Sequence, residues 1–391
     1  MTGAWLLAAI LAGCGAGSAQ PSVPPPASGA AISAAKPASS AAGSSQAAAA
    51  LGQADWDSVL VKAKQEGKVS VLINPPAGVY QPLYDAFQKK YGIATELVAF
   101  GGSADLVPRL KAERDAGQYS WDAAVHAPST LFAGAKPLKA LDPLKPALML
   151  PEVLDDSKWF HGFDAGWYDS DKSLAYSFVG YVFWGTYINR QLLPESQLSR
   201  VDQLWDPQWK GKIAIQDPRV ASAGSAATAD WLVAKGEDKL RAMFQNQQLV
   251  ITQDKRQLAQ WVVQGQYPIA VGLSESQMSE FKANGLPIDQ VQPLTDSDRG
   301  AAVFSSASGS VGLINRAPHP NAARVFINWL LTPEGQQLYS QLSGFNSRRL
   351  DVPVVSPQQT PDPARDYVNV ETEQAFPNYA KAINIAKEVL K

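Results

Sequence analysis

Twice along this chain of 391 residues a short β-branched run gives way to a helical period that a glycine stops, and the cycle then repeats. Lys68 to Asn74 reads as a strand buried on both faces. Val79, Tyr80, Leu83, Tyr84, Phe87 and Tyr91 follow at helical spacing until Gly92. Ala94 to Phe100 is a second strand, Gly101-Gly102-Ser103 opens a helix carrying Leu106, Val107 and Leu110, and Trp121 to His126 is a third strand. The second series runs through a strand at Lys212–Gln216, a helix at Ser225–Lys235 stopped by Gly236, and a strand at Leu249–Thr252. It continues with a helix to Gln264, a strand at Tyr267–Leu273, a helix at Ser276–Asn284 stopped by Gly285, and a strand at Ile288–Leu294. Strands joined by short helical crossovers pair in parallel and with right-handed connections. The chain is therefore expected to be α/β, with two Rossmann-like lobes.

Two stretches lie between or after these series. Ser173 to Tyr187 is aromatic and β-rich and reads mostly as a core strand of the first lobe. Ala301 to Ile314 is again strand-like, and Pro320 to Leu342 is helical with a break at Pro333-Glu334-Gly335. If the two strand-like stretches lie side by side, the chain crosses between lobes twice and makes a two-segment hinge. The expected division is 51–184 with 301–391 as lobe 1 and 185–300 as lobe 2. Phe345 to Val355 is expected to return to the first lobe, and the helical tail Glu371–Leu390 to cross the outside of a lobe.

The only cysteine, Cys14, ends Leu11-Ala12-Gly13-Cys14 after the apolar run Trp5–Leu11. That run is too short to span a bilayer and reads as a secretory leader, although Met1 to Trp5 carries no Lys or Arg. Residues 15–50 are almost entirely Ala, Ser, Pro and Gly, which cannot bury enough apolar surface to offset ordering entropy. As a flexible coil this stretch would separate its ends by about 30–35 Å. With Lys36 the only charge before Leu51, the remainder holds 33 Lys+Arg against 36 Asp+Glu. That near-neutral balance, without a basic run, excludes nucleic acid and a polybasic membrane surface as evident partners. No cofactor motif is present, and a chain with one cysteine relies on packed cores rather than disulfides.

Ligands of open parallel sheets bind beyond the carboxyl ends of the strands. In the first series this rule selects Asn74, Gly101, Gly102, Ser103, His126 and Ser129; in the second it selects Asp217, Ser222, Gly224, Ser225, Gln253, Ser274 and Glu275. Several of these loops run into helix starts, where free N–H groups favour an anion; ordinary capping by serine accounts for any one of them equally well. Trp184, with Tyr181, is a candidate apolar wall. Arg219 and Arg348 lie near enough in sequence to add charge, and Arg348 and Arg349 read equally well as solvated surface residues.

Longer strings carry a family resemblance. Gly67-Lys68-Val69-Ser70-Val71, Ala86-Phe87-Gln88-Lys89-Lys90-Tyr91-Gly92-Ile93 and Tyr187-Ile188-Asn189 stand in order with Leu204-Trp205-Asp206-Pro207-Gln208-Trp209-Lys210-Gly211-Lys212-Ile213. Gln264-Gly265-Gln266-Tyr267, His319-Pro320-Asn321-Ala322-Ala323 and Leu331-Thr332-Pro333-Glu334-Gly335-Gln336 follow. Together they resemble a bacterial extracellular solute-binding protein of the branch that includes ferric-iron and phosphonate binders. Leu11 to Cys14 likewise resembles a lipoprotein signal, which implies acylation of Cys14 as the mature N-terminus. The resemblance implies the type 2 periplasmic-binding-protein fold, closing on a small-molecule solute and delivering it as a monomer to an ABC permease in the cytoplasmic membrane.

Iron-binding relatives place adjacent tyrosines after the strand that here is Tyr267–Leu273. This chain has Ser274-Glu275-Ser276-Gln277 there and no Tyr-Tyr pair, and ferric iron prefers hard anionic oxygens. A small organic anion, a phosphonate or carboxylate, is the expected solute; ferric iron is the alternative within the family. A secreted enzyme on the same scaffold would have to use His126, since the chain has no P-loop, H-E-x-x-H or G-x-S-x-G. A lipid-anchored sensor subunit is a third possibility.

Overall fold

A computed structural model describes residues 54–74, 76–100, 103–295 and 299–390. The expectations for Cys14 and for residues 15–50 lie outside the described residues. In chain order, α1 (54–66) leads into β1 (Lys68–Ile73), α2 (Ala77–Tyr91), β2 (Ala94–Ala99), α3 (Ser103–Asp115) and β3 (Ala123–His126). A π-helical turn (Thr130–Ala135) precedes β4 (Leu141–Asp142), the short α4 (Pro151–Leu154) and β5 (Tyr176–Ser177). β6 (Tyr181–Trp184) and β7 (Thr186–Asn189) follow, with only Gly185 between them. The second series is β8 (Ile213–Gln216), α5 (Ala223–Lys235), α6 (Glu237–Asn246), β9 (Val250–Thr252), α7 (Lys255–Val263), β10 (Ile269–Val271), α8 (Glu275–Ala283) and β11 (Val291–Pro293). β12 (Ala302–Ser305), β13 (Ser310–Ile314), α9 (Pro320–Leu330), α10 (Pro333–Ser343) and α11 (Phe376–Val389) complete the chain.

The local chemistry explains these elements. In β1, Val69 to Ile73 are all buried, as a strand covered by helices on both faces must be. α2 turns Tyr80, Leu83, Tyr84 and Phe87 inward and ends at Gly92, whose φ of 72° lets its N–H bond the Gln88 carbonyl. α9 begins with Pro320 and buries nearly every residue from Ala322 to Leu330, so it reads as a core helix. Thr332, not the following Pro-Glu-Gly, separates it from α10 by capping the Gly335 N–H.

Among the described residues three sheets result. The first has the order β2-β1-β3-β13-β4, with β5 also on β13; the second has the order β11-β7-β10-β8-β9. β1, β2 and β3 are parallel, and so are β8, β9 and β10. One strand in each sheet runs the other way: β13 pairs antiparallel with β3, and β7 with β10. The third sheet is the antiparallel ribbon β6–β12, in register Tyr181↔Ser305 to Trp184↔Ala302. β5, β6 and β7 carry the chain from the first sheet through the ribbon to the second, and β11, β12 and β13 bring it back. This is a two-segment hinge between two α/β lobes.

The structure corrects the expectations in several places. Ser173–Tyr187 is not one core strand of the first lobe but pieces in all three sheets. Ala301–Ile314 is broken into β12 and β13 by the turn at Ser306–Gly309, where Ala307 adopts φ 47° and the Gly309 N–H bonds the Ser306 carbonyl. α6 was not expected, because Glu237 to Asn246 is mostly polar; only Leu240, Met243 and Phe244 face inward. The tail helix starts at Phe376 rather than Glu371, and it packs on α5 and α6 of the second lobe rather than on the first. No helix among the described residues is long and apolar enough to cross a membrane.

Candidate functional site

In the first lobe, β1 delivers the half-buried Asn74 and β3 delivers His126 at its carboxyl end. His126 is 1% exposed. Its Nδ1 accepts from the Ala127 N–H at 2.9 Å, so Nε2, 3.1 Å from the Phe100 carbonyl, is the protonated nitrogen. Burial depresses its pKa, and both nitrogens are engaged by backbone. Ser129 is half-buried just before the π-helical turn and makes no side-chain cap. Gly101 and Gly102 lie outside the described residues, as do the surroundings of the Ser103 side chain. The N-terminus of α2, following Asn74, has no side-chain cap, and nothing approaches within 4 Å of where a Cβ on Gly78 would stand.

In the second lobe, β8 runs directly into Asp217, which is 3% exposed. Its carboxylate accepts from the Arg219 N–H at 3.0 Å, from Arg219 Nε at 2.9 Å and from Gln253 Nε2 at 3.2 Å. The bonds from Arg219 hold the Asp217 pKa below the usual carboxylate range. Asp217, Gln253 and the start of α5 are thereby brought together. Ser222 caps α5: its Oγ accepts from the Ser225 N–H at 3.1 Å, and Ser225 Oγ accepts from the Ser222 N–H at 2.8 Å. Gln216 Oε1 accepts from the Ala223 N–H at 3.1 Å. Gly224 is required here, because a Cβ would stand 1.9 Å from the Gln216 carbonyl. At this helix start the Ala223 N–H is taken by Gln216 of β8 and the Ser225 N–H by Ser222.

Ser274 caps α8 in the same reciprocal way with Gln277. Glu275, the first residue of α8, accepts from the Tyr187 hydroxyl at 3.4 Å, and burial raises its pKa. Trp184 stands on the opposite face of the ribbon from Tyr181, since successive strand residues alternate. Its Nε1 donates to the Gln358 carbonyl at 3.0 Å, and the Arg365 guanidinium lies 5.3 Å from its ring. The two aromatics therefore do not form one wall. Arg348 and Arg349 are neither surface charges nor cleft residues: they are 2% and 3% exposed. Arg349 pairs with Asp351 at 2.8 Å, and Arg348 donates to the carbonyls of Ser177, Phe160 and Gly162.

The C-terminal segment supplies groups that the sequence did not nominate. Tyr379 of α11 places its hydroxyl 2.8 Å from Ser225 Oγ, at the start of α5. Glu371 accepts from Ser305 Oγ at 2.6 Å and from the Ser306 N–H at 2.7 Å, on the return strand of the hinge. Burial pushes its pKa up to about 7. No local motif marks either residue; they reach the strand ends only because the tail recrosses the hinge. Among the described residues, no three His, Cys, Asp or Glu side chains converge to hold a metal ion.

A family described as bacterial extracellular solute-binding protein matches residues 82–366. An uncharacterised protein of Haemophilus influenzae is 24% identical over 285 residues, covering 71% of this chain and 76% of that protein. Among solved structures, a Trichodesmium FutA in complex with iron and citrate superposes with a TM-score of 0.63 at 20% identity, covering 83% of this chain and 99% of that one. A Bordetella ferric binding protein gives a TM-score of 0.64 at 19% identity, covering 82% and 98%. Iron-bound HitA from Pseudomonas aeruginosa gives 0.61 at 16% identity, covering 82% and 99%. At these identities the likeness is one of fold, and the fold is that of the type 2 periplasmic binding proteins. With the family match spanning most of both lobes, the chain belongs to the bacterial extracellular solute-binding proteins.

Proposed function

We propose that this protein captures a small organic solute carrying an anionic group, a phosphonate or carboxylate, between its lobes and hands it to an ABC permease without altering it. Proteins of this family bind small solutes outside the cytoplasm and deliver them to such importers. The observation that carries the reading is the two-segment hinge: β5, β6 and β7 lead from the first sheet through the ribbon to the second, and β11, β12 and β13 lead back. A ligand touching both sides supplies the free energy that favours the closed arrangement. With Arg219 held by Asp217 and Arg348 buried among residues of the first lobe, recognition of the anionic group between the lobes falls to backbone N–H groups and hydroxyls. The uncapped start of α2 beside Asn74 is the best such place.

In this reading 51–184 and 301 onward form one lobe up to the last helix, which rides on the other lobe, 185–300. Cys14 is acylated, residues 15–50 are the tether, and the protein acts as a monomer at the outer face of the cytoplasmic membrane. Calorimetric titration with phosphonates, carboxylates and ferric citrate tests the solute. Binding and a raised Tm with at least one metal-free anion are expected; a response to ferric citrate alone replaces the proposal with the iron reading. The iron-bound FutA and HitA favour that alternative. Ser274-Glu275, where iron-binding relatives carry paired tyrosines, weighs against it. The enzyme reading needs His126 as a base, yet both its nitrogens are bonded to backbone. Turnover by the purified protein that disappears in His126→Ala would favour it.

A further inference from the structure

A cavity of about 480 Å³ lies against the ribbon on the side of Phe304, and it contains no residue of the second lobe. Phe304 is the β12 partner of Val182 and shares the face of Trp184, opposite Tyr181 and Ser305. Phe160 stacks on Phe304 with ring centroids 5.5 Å apart and planes at 10°. Tyr168, Tyr367 and Asn369 complete the walls. A second chamber of about 230 Å³ adjoins it and shares Phe160, Phe304, Arg348 and Pro363. The combined space matches a small metabolite.

The charge at this place is unusual. Arg348 lines both chambers and is 2% exposed. Its terminal nitrogens donate to the carbonyls of Ser177, Phe160 and Gly162, at 3.1, 2.7 and 3.2 Å. Its Nε has no acceptor, and among the described residues no carboxylate lies within ion-pair distance of it. The fold makes room for this cation at a cost in chain freedom: a Cβ on Gly166 would stand 2.4 Å from Arg348 Nη1, and one on Gly180 2.6 Å from its Cγ. A buried guanidinium without a counter-charge is expensive unless an anion comes near it. At the rim, Arg365 stacks over the rings of Trp184 and Tyr367 at 5.3 and 5.1 Å. The exposed Asp366 and His161 stand beside it.

We propose that this hinge-side cavity is a second ligand site, separate from the space between the lobes, and that it takes a small aromatic carboxylate. The ring of the ligand would lie among Phe160, Phe304 and Tyr367, and its carboxylate would relieve the uncompensated charge of Arg348. Titration of the whole protein with benzoate tests this, with cyclohexanecarboxylate and benzyl alcohol as the probes lacking the ring and the charge. Benzoate is expected to bind roughly ten-fold more tightly than benzyl alcohol, the scale of a charge-assisted contact. It should bind roughly five-fold more tightly than cyclohexanecarboxylate, the scale of aromatic contact. Tyr367→Ala at the rim should weaken benzoate about five-fold, and Arg348→Met, where it folds, should abolish the preference over benzyl alcohol. Crystals soaked in benzoate should show it against Phe160. No binding at millimolar benzoate, equal binding of the three probes, an unaffected Tyr367→Ala, or density between the lobes instead would each overturn the site.

Discussion

Glu371 shows how a single side chain can tie solution behaviour to architecture. Burial raises its pKa from 4.5 to about 7 while it stays hydrogen-bonded to Ser305 and Ser306 on the hinge strand. A carboxyl that binds its proton more tightly when folded stabilises the fold fully below its unfolded pKa. That stabilisation is then lost as pH rises through the folded value. Stability should therefore decline between about pH 4.5 and 7, by up to about 3 kcal/mol from this one group. Glu371→Gln can still accept the Ser306 N–H through Oε1 while its Nε2 donates to Ser305 Oγ, and it has no charge to bury, so its unfolding free energy should lack this decline and exceed wild type above pH 7. Urea melts across pH 5 to 8 check it; parallel profiles for the two proteins would contradict the assignment. The Glu371 carboxyl was invisible in sequence because nothing in Val368-Asn369-Val370-Glu371 says which hydroxyl it will meet.

Among the elements, the contact between the start of α5 and the ends of β8 and β10 is the tightest the strand ends make. A Cβ on Gly224 would meet the Gln216 carbonyl at 1.9 Å, and one on Gly272 would meet the Gly224 nitrogen at 2.8 Å. Gly272 also has φ 98°, which an L side chain rarely adopts. Gly224→Ala must push α5 off β8 and is expected to lower stability by at least about 2 kcal/mol. Ser222→Ala removes only the cap and should cost about 1 kcal/mol. Thermal melts compare the two, and a Gly224→Ala effect no larger than that of Ser222→Ala would refute the close approach. The caps at Ser222 and Ser274 were legible as serine before a helical period. What sequence left open was whether their N–H groups await a ligand; for α5, the Gln216 side chain on β8 takes the Ala223 N–H and the Ser222 hydroxyl takes that of Ser225.

Across the whole molecule, the C-terminal segment joins both lobes. α11 is held to the second lobe by Lys381–Glu237 at 2.7 Å, Arg241–Glu388 at 2.9 Å and the Tyr379 hydroxyl on Ser225. Just before it, Glu373 bonds Lys136 at 2.8 Å and the Ser170 N–H at 2.7 Å in the first lobe, and Phe376, the first residue of α11, meets Phe132 edge-on at 5.5 Å. Burial opposes ionisation of Glu373, but the bonds from Lys136 and Ser170 outweigh it and keep its pKa low. A strap hooked at both ends restrains opening, so Glu373→Gln combined with Phe132→Ala should enlarge the radius of gyration of the solute-free protein in X-ray scattering. The same pair should weaken solute binding, because more of the free population is open. Scattering identical to wild type would show that the strap does not restrain the lobes.

The chain by itself determined that two α/β lobes form, because β-branched runs, helical spacing and stopping glycines are local properties of neighbouring residues. It also marked most strand ends, since these follow from where each run stops. Only the tertiary structure decided that Ser173–Tyr187 is shared among three sheets, that Arg348 is buried beside a cavity, and that Tyr379 and Glu371 reach the strand ends. Those outcomes depend on pairing and packing between segments that lie 66 or more residues apart, and no local pattern encodes such a meeting.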